Sequence, residues 1–517
     1  MGKEWIAFYR ERVKPSWKVA FFSVILAGLL VHLYKFTNYL PDRDSLLNIY
    51  HDQNILASGR WLLSLACGIS SYFDLPLVNG LLSLLYMGVT MVLITELLGL
   101  ENPVLIALCG GLLAAFPGTT ETFFYAYTAD GYFLAMALAT LAVYLTRMGQ
   151  RSLRAYLAAG ACLAASCAIY QSYVSFALVL ALCHFCWEIL ENRRTNRDCL
   201  AWAGKQAVLY LLSMAVYYGI WKLLMALTQT HVNDYQGISE IGVNLLPTFL
   251  SGLPTSIKAV AAFFLQWNVL KQGFTPYVVL NLLFLAGAVG IFVAAVVRSG
   301  IARRRWQLGF LVLALAAMVP ASCIWSFASA QILYRPMMLM CLVLVYMLVF
   351  SLFDRWAKPR WANLAAVLAL AIVFNFGLIA NISYHYLTRN YERTYAQGLQ
   401  MALDIRQLQQ TEEFDRFAVS GDTWLEGKLA AYDYEAEKQT PASGIGILSR
   451  YLYDDLLFDH DRITAFLTEY LGVDLEIASW TDSLREKAAP LLEDMPRWPE
   501  SGSMTVIDGT LIIKISD

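Results

Sequence analysis

Ionisable side chains are concentrated in residues 38–62, between the first two apolar stretches of the chain. The segment reads NYLPDRDSLLNIYHDQNILASGRWL, and its charged or titratable candidates are Asp42, Asp44, His51, Asp52 and Arg60. A carboxylate held at a membrane surface can act as a general base, accepting the proton of a sugar hydroxyl while a lipid phosphate leaves. A guanidinium can hold that phosphate by two parallel hydrogen bonds. The alternative is that these residues are ordinary solvated loop charges and a helix cap.

The apolar residues of the same segment predict how the carboxylates are positioned. Leu46, Leu47, Ile49 and Ile55 could form a helix along the membrane surface that begins at Asp44, with Asp44 near its N-cap. The stretch that follows, residues 61–73 (WLLSLACGISSYF), is too short to cross a bilayer. We expect it to be interfacial or re-entrant, an arrangement that favours a role beyond solvation for the loop.

Two acids lie in a second apolar segment, TTETFFYAYTADGYF. Glu121 and Asp130 are nine residues apart, so on one continuous helix over 121–146 they would face opposite sides. An ionisable group within a span is costly and usually faces a cavity or the bundle interior. Each acid is therefore either a substrate contact or half of a structural pair.

Further cations could bind a donor phosphate together with Arg60. Arg335 stands at the start of a span (LYRPMM), where Pro336 is suited to a first helical turn. The alternative for both arginines is snorkelling to lipid headgroups. His51 and Lys258 are weaker candidates for substrate binding.

Composition identifies the class of protein that must position these groups. Of 517 residues 58% are hydrophobic and 15% are charged, and the net charge is −2, with a mean hydropathy of +0.51. Soluble domains are typically about 45–50% apolar and about 25% charged. These values exclude a soluble enzyme and a nucleic-acid-binding protein, and they predict an all-α polytopic membrane protein.

Apolar stretches of about 20 residues predict eleven transmembrane helices. They lie near 17–35, 76–98, 102–118, 121–146, 154–170, 171–190, 205–228, 276–297, 306–325, 333–353 and 361–384. Residues 248–270 carry Pro254 and Lys258, so we expect an interfacial or re-entrant segment there rather than a span.

Lysine and arginine distribution predicts the orientation. With a cytoplasmic N-terminus, inside segments carry 19 Lys and Arg, against seven in outside segments up to residue 384. The loop 36–60 and the C-terminal region 386–517 would then be extracytoplasmic. That region begins with a helix-forming sequence, continues with a strand (FDRFAVSG), and ends in two β-rich runs joined by Asp508-Gly509, a hairpin signal. We predict a small α/β domain after a membrane domain of residues 1–385.

Three stretches together resemble the glucosyltransferase GtrII family. They are DSLLNIYHDQNILASGRWLLSLACGISSYFDLPLVNGLL, TETFFYAYTADGYFLAMALATLAVYL and IYQSYVSFALVLALCHF. The resemblance implies a GT-C type membrane glycosyltransferase with a carboxylate on its first external loop. Such enzymes move a sugar, typically glucose, from polyprenyl (undecaprenyl) phosphate to O-antigen or another surface glycan, with inversion. Asp44 is in register with the family-like motif and is favoured as the base, and Asp42 stays open as the alternative.

Two other functions fit the same pattern. A transporter or flippase of lipid-linked sugar would share the many spans and the charges within them, and a non-catalytic surface-glycan assembly protein would bind through its C-terminal domain. No nucleotide-binding loop of the GxxxxGK[ST] kind is present in the sequence. We expect no cofactor and no metal requirement, since a monophosphate donor has no diphosphate to neutralise. The expected partners are the lipid-linked donor, the glycan acceptor and the bilayer, without nucleic acid.

Overall fold

Long apolar helices dominate the protein. The computed structural model describes residues 13–42, 44–48, 51–53, 55–148, 152–232, 245–265, 275–421 and 460–516. Within these residues, eleven helical segments are long and apolar enough to cross a membrane: Pro15–Thr37, Pro76–Leu98, Pro103–Phe124, Ala126–Arg147, Tyr173–Leu190, Asn196–Thr228, Leu246–Leu265, Pro276–Arg298, Arg305–Ser322, Pro336–Trp356 and Pro359–Leu408. The predicted polytopic, mainly helical fold class is confirmed.

The set of eleven differs from the predicted set at two helices. Leu153–Ile169 forms a helix as predicted, but its 17 residues leave it just short of a full span. Conversely, Leu245–Leu265 is one 21-residue helix that accommodates Pro254 in its interior. The expectation that this stretch is too interrupted to reach span length is therefore wrong.

The packing of Leu245–Leu265 nevertheless favours a position at one side of the bundle. Near its C-terminal end, the carbonyl of Phe263 accepts a hydrogen bond from Tyr277 Oη at 2.6 Å. In the first half of the helix, Gly252 lies against the ring of Phe327. The helices Pro276–Arg298 and Arg305–Ser322 are joined by a turn at residues 299–304. Tyr277 lies at the start of the first helix and Phe327 lies just after the end of the second, so both contacts are at the ends away from that turn.

A break at Tyr125 separates the two acids that the sequence placed on one helix. The chain forms Pro103–Ala115, then Pro117–Phe124, then Ala126–Met148. Pro117 starts a new helix because its ring fixes φ at a value suited to a first turn. The prediction of one helix over 121–146 is wrong, and Glu121 and Asp130 belong to different helices.

The first loop contains much less helix than predicted. Among the described residues of the loop, two short 3₁₀ turns, Ser45–Leu47 and Leu56–Ser58, stand in place of the expected surface helix, and the side chain of Asp44 does not cap the first of them. Asp42 does so instead: its Oδ1 accepts from the Ser45 backbone N at 3.0 Å and from Ser45 Oγ at 2.5 Å. Asp44 therefore occupies the N-cap position, as expected, but its side chain makes no capping hydrogen bond.

The short segment after the loop does not reach span length, as the sequence predicts. It forms the helix Leu63–Cys67 and the 3₁₀ turn Gly68–Ser71. Leu65 and Ile69 are 77% and 73% exposed, an apolar face suited to lipid.

The C-terminal region is a small mixed sheet with helices. The strands β1 (Arg416–Ser420), β2 (Glu476–Ile477), β3 (Met504–Ile507) and β4 (Thr510–Lys514) are ordered β2-β1-β4-β3. β1 is parallel to β2 and β4, and β3–β4 is an antiparallel hairpin. Asp508 and Gly509 have φ of 47° and 71°, the conformation that the hairpin signal predicts.

One helix joins the membrane part to this sheet. Pro359–Leu408 runs for 50 residues, so the last apolar segment and the helix expected at the start of the C-terminal region are continuous. The first loop also packs on the sheet's core: Leu46 is fully buried in a cluster with Met401, Phe417 and Phe466.

The arginine-bearing loops meet at one end of the bundle. Arg355 Nε lies 2.8 Å from Glu191 Oε1, and Gln307 Nε2 donates to the carbonyl of Arg194 at 2.7 Å. These contacts tie together three of the loops whose positive charge predicts a cytoplasmic location.

Candidate active site

A cavity of about 940 Å³ opens between the first loop, the membrane helices and the C-terminal domain. Three of the predicted site residues, Asp44, Arg60 and Arg335, line it. Asp44 and Arg60 share the first loop, whereas Arg335 is 291 and 275 positions away from them in the sequence. Only the folded chain brings all three together. A space of this size can hold a sugar with its phosphate, since small-molecule sites typically measure about 300–1,000 Å³.

Asp44 presents a carboxylate to this cavity. Its side chain is 33% exposed, and its Oδ1 lies 2.9 Å from Nη2 of Arg462. Arg462 belongs to the helix His460–Ala465 of the C-terminal domain and also lines the cavity. No sequence pattern pointed to Arg462, because 418 positions separate it from its partner.

Asp42 occupies a different environment. It is 7% exposed and caps the turn through Ser45 rather than lining the cavity. Burial raises the pKa of Asp42 to about 7, and the negative charge of Asp44 adds to the rise, while the hydrogen bond from Ser45 and the charge of Lys35 oppose it. Of the two aspartates between which the sequence left a choice, Asp44 is the one that faces the cavity.

Arg60 is oriented by two tyrosines. Its Nη1 donates to Tyr132 Oη at 3.0 Å, and its guanidinium carbon lies 5.1 Å from the centre of the Tyr170 ring. The rings of Tyr132 and Tyr170 stack at 4.4 Å. This arrangement restricts the guanidinium to a narrow range of orientations at the cavity wall.

Arg335 is positioned by the helix break and by Glu121. Its Nη1 donates to Tyr125 Oη at 2.6 Å. Pro336 opens the helical turn that follows, as predicted, and Glu121 Oε2 accepts from the Met337 backbone N at 2.7 Å. Glu121 is 2% exposed and lies behind the cavity wall, where its contacts support Arg335 rather than reach the cavity.

The remaining predicted residues lie apart from the cavity lining. Asp130 is 2% exposed and accepts from Ser70 Oγ at 2.9 and 3.0 Å, which is the structural alternative for that acid. His51 and Lys258 are exposed, Lys258 on the helix Leu245–Leu265. None of the three is among the lining residues.

Three side chains that the sequence did not single out hold the loop that carries Arg60, two from the helix Asn196–Thr228 and one from the turn between Leu153–Ile169 and Tyr173–Leu190. Gln171 Nε2 donates to the carbonyl of Ser58 at 2.7 Å, Tyr217 Oη to that of Gly59 at 3.1 Å, and Trp221 Nε1 to that of Leu56 at 2.8 Å. In the sequence, Tyr217 and Trp221 are indistinguishable from aromatic residues that anchor a helix at the membrane interface. Gln171 stands in IYQSY, within one of the family-like stretches, and this is the signal by which the sequence could have identified it.

The arrangement is suited to an anionic ligand that reacts beside a carboxylate. Two arginines held by tyrosine hydroxyls can bind a phosphate and stabilise the charge that develops on it as it leaves. Asp44 at the same cavity can accept a proton from an incoming hydroxyl. Within the described part of the chain, no group of three or more His, Cys, Asp or Glu side chains is placed to hold a metal ion.

Comparison with known proteins identifies a family. The family model described as Glucosyl transferase GtrII matches residues 33–353, more than half of the chain. The matched range includes the first loop, Arg60 and Arg335, and it ends before the C-terminal domain that supplies Arg462. The chain matches no curated protein and no solved structure.

Proposed function

Because the chain belongs to the glucosyl transferase GtrII family, we propose that it transfers glucose from a polyprenyl phosphate, such as undecaprenyl phosphate, to a cell-surface glycan. The acceptor is an O-antigen or a wall polysaccharide. The observation that carries the proposal is the cavity in which Asp44, Arg60 and Arg335 meet.

Arg60 and Arg335 bind the donor phosphate in this proposal. Both reach the cavity wall, and each is already oriented by a tyrosine hydroxyl, so little conformational freedom is lost when a phosphate binds. The guanidinium forks also stabilise negative charge on the leaving phosphate. The polyprenyl chain extends into the bilayer, and Met214 and Tyr218, on the membrane helix Asn196–Thr228, line that part of the cavity.

Asp44 acts as the general base. The acceptor hydroxyl oxygen forms a bond to the anomeric carbon, the bond from that carbon to the phosphate oxygen breaks, and the hydroxyl proton passes to the Asp44 carboxylate. Attack from the side opposite the phosphate inverts the anomeric centre. Polyprenyl phosphate leaves with the bonding electron pair, held by the two arginines. We expect no metal requirement, so transfer should persist in EDTA.

The reaction takes place on the extracytoplasmic side, with a cytoplasmic N-terminus and an extracytoplasmic C-terminal domain. The charge distribution of the loops supports this orientation. It places the first loop and the domain on the side where a surface glycan is available.

Mass spectrometry of surface glycans from cells with and without the gene product tests the proposal. We expect one additional hexose on the glycan in cells that make the protein, and its absence when undecaprenyl phosphate glucose is not synthesised. A glycan that is unchanged by the protein, in cells shown to contain both donor and protein, would contradict transferase function.

The transporter alternative predicts a different result with the same cells. A flippase would need no base, so Asp44→Asn should leave hexose addition intact as long as a separate transferase is present. Purified protein that transfers glucose in detergent solution, where no membrane separates two sides, would exclude it.

A further inference from the structure

We propose that Arg462 is a positioning residue for Asp44, so that the C-terminal domain completes the active site instead of acting as a separate accessory domain. The inference rests on the proposed function, because it concerns the base of that reaction. It assigns a role to a residue outside the matched range 33–353.

The first support is the contact itself. Arg462 Nη2 lies 2.9 Å from Asp44 Oδ1, and the Arg462 side chain is 11% exposed. A guanidinium so enclosed can move little, so the carboxylate that it holds is also restrained. Because Oδ1 is engaged by Arg462, we assign the acceptor proton to the other oxygen, Oδ2.

The second support is the way the loop around Asp44 is held. The loop has only one 3₁₀ turn beside Asp44 within its described residues, too little to fix a side chain by itself. Leu46, two positions later, is fully buried in the core of the C-terminal domain. Before Asp44, the Tyr39 hydroxyl bonds to that of Tyr470, on the same domain. The C-terminal domain therefore contacts the loop on both sides of Asp44.

The contacts of the three cavity arginines distinguish their roles. Arg60 and Arg335 donate to the neutral hydroxyls of Tyr132 and Tyr125 at the cavity wall. The charge of Arg462 faces a carboxylate instead. We therefore expect the loss of Arg462 to affect the chemical step rather than donor binding.

Steady-state kinetics of the purified full-length protein test the inference, with undecaprenyl phosphate glucose as donor and glycan from the host membrane as acceptor. For R462M we expect kcat to fall about 10- to 100-fold, the effect of losing a hydrogen bond to a charged group, with an unchanged donor KM. R462K should recover part of kcat, because it restores the charge without the planar fork. R485M, at an exposed arginine of the same domain, is the matched control and should behave as wild type.

A double variant tests whether Arg462 acts through Asp44. If it does, D44N/R462M should be no slower than D44N alone, since the group that Arg462 positions is already lost. Additive losses would overturn the inference, as would a raised donor KM with normal kcat in R462M, which would make Arg462 a phosphate ligand. If R462M does not fold, R462K decides: a lowered kcat at unchanged donor KM supports the inference, and a wild-type kcat overturns it.

The same experiment separates this inference from the proposed function. An inactive D44N with a fully active R462M would remove the positioning role and leave the proposed base in place. A fully active D44N would remove the base itself.

Discussion

Replacing Asp44 by asparagine removes the proposed base with little change to the structure around it. The side chain does not cap the neighbouring turn, and its hydrogen-bonding contact is with Arg462. Asparagine has nearly the same shape, and its amide oxygen can still accept the hydrogen bond from that guanidinium. What is lost is the ability to take a proton at neutral pH.

The expected magnitude follows from this difference. General-base catalysis typically contributes about 10²–10⁴-fold in rate, so we expect kcat of Asp44→Asn to fall by that factor. The cost to folding should be limited, because the asparagine oxygen keeps the hydrogen bond from Arg462 and the side chain of Asp44 is one-third exposed. Thermal unfolding in detergent should therefore be close to that of the wild type.

Glucose transfer by the purified variants is the assay, and Asp42→Asn is the matched control. The amide oxygen that this substitution introduces can still accept the hydrogen bonds from Ser45 that cap the turn, so the variant should lose much less activity. Near-wild-type transfer by Asp44→Asn with an inactive Asp42→Asn would show that the two roles are reversed. Near-wild-type transfer by both would show that the loop supplies no base, and the binding or transport functions would then have to be considered.

Three further predictions concern the phosphate site, pH and topology. Arg60→Ala and Arg335→Ala should each raise the donor KM about 10- to 100-fold, the value of a charge-assisted hydrogen bond, with partial rescue by lysine; unchanged donor KM in both would refute the site. The folded-state pKa of Asp42 is raised from 3.8 to about 7, so its contribution to stability is present below about pH 4 and lost as pH rises to about 7. The melting temperature should fall over that interval, and less so in Asp42→Asn; parallel curves would contradict the assignment. In intact cells an impermeant thiol reagent should label a cysteine at Asp415, which is exposed, and not one at Arg303; the reverse pattern would invert the orientation.

The topology test matters because the helix count alone does not fix the side of the C-terminal domain. If both Leu153–Ile169 and Leu245–Leu265 crossed the bilayer, there would be twelve crossings among the described helices, and the two termini would lie on one side. The contacts of Leu245–Leu265 near Tyr277 and Phe327 favour a helix that stays on one side. Labelling at Asp415 distinguishes these arrangements directly.

Sequence patterns predicted the parts of the structure that depend on local or periodic signals. The span positions follow from apolar length, and the β3–β4 hairpin follows from Asp508-Gly509. Arg60 and Arg335 were found because arginine beside an apolar span is conspicuous. The surface helix at Asp44 was wrong because the apolar periodicity was outweighed by the packing of Leu46 on the C-terminal domain. The single helix over 121–146 was wrong because the chain breaks at Tyr125, between Pro117–Phe124 and Ala126–Met148.

The contacts that place the candidate site could not be predicted, because they join distant segments. Asp44 meets Arg462 across 418 positions, and Glu121 meets the backbone of Met337 across 216. Neither Arg462 nor Met337 stands in a motif. Tertiary packing alone makes Arg462 a neighbour of Asp44 and makes the backbone of Met337 a partner of the buried Glu121.

The first loop is fixed at two separate places, and this determines the distance between its two functional groups. Near Asp44 it is held by the C-terminal domain through Leu46. Near Arg60 it is held by the membrane helix Asn196–Thr228, through the side chains of Tyr217 and Trp221. Asp44, the proposed base, and Arg60, the proposed phosphate-binding residue, therefore lie on one loop that is held at two separate supports. The support at Asp44 is joined to the membrane bundle by the 50-residue helix Pro359–Leu408, so in the proposed reaction the position of the domain on that helix would set how closely Asp44 approaches the sugar.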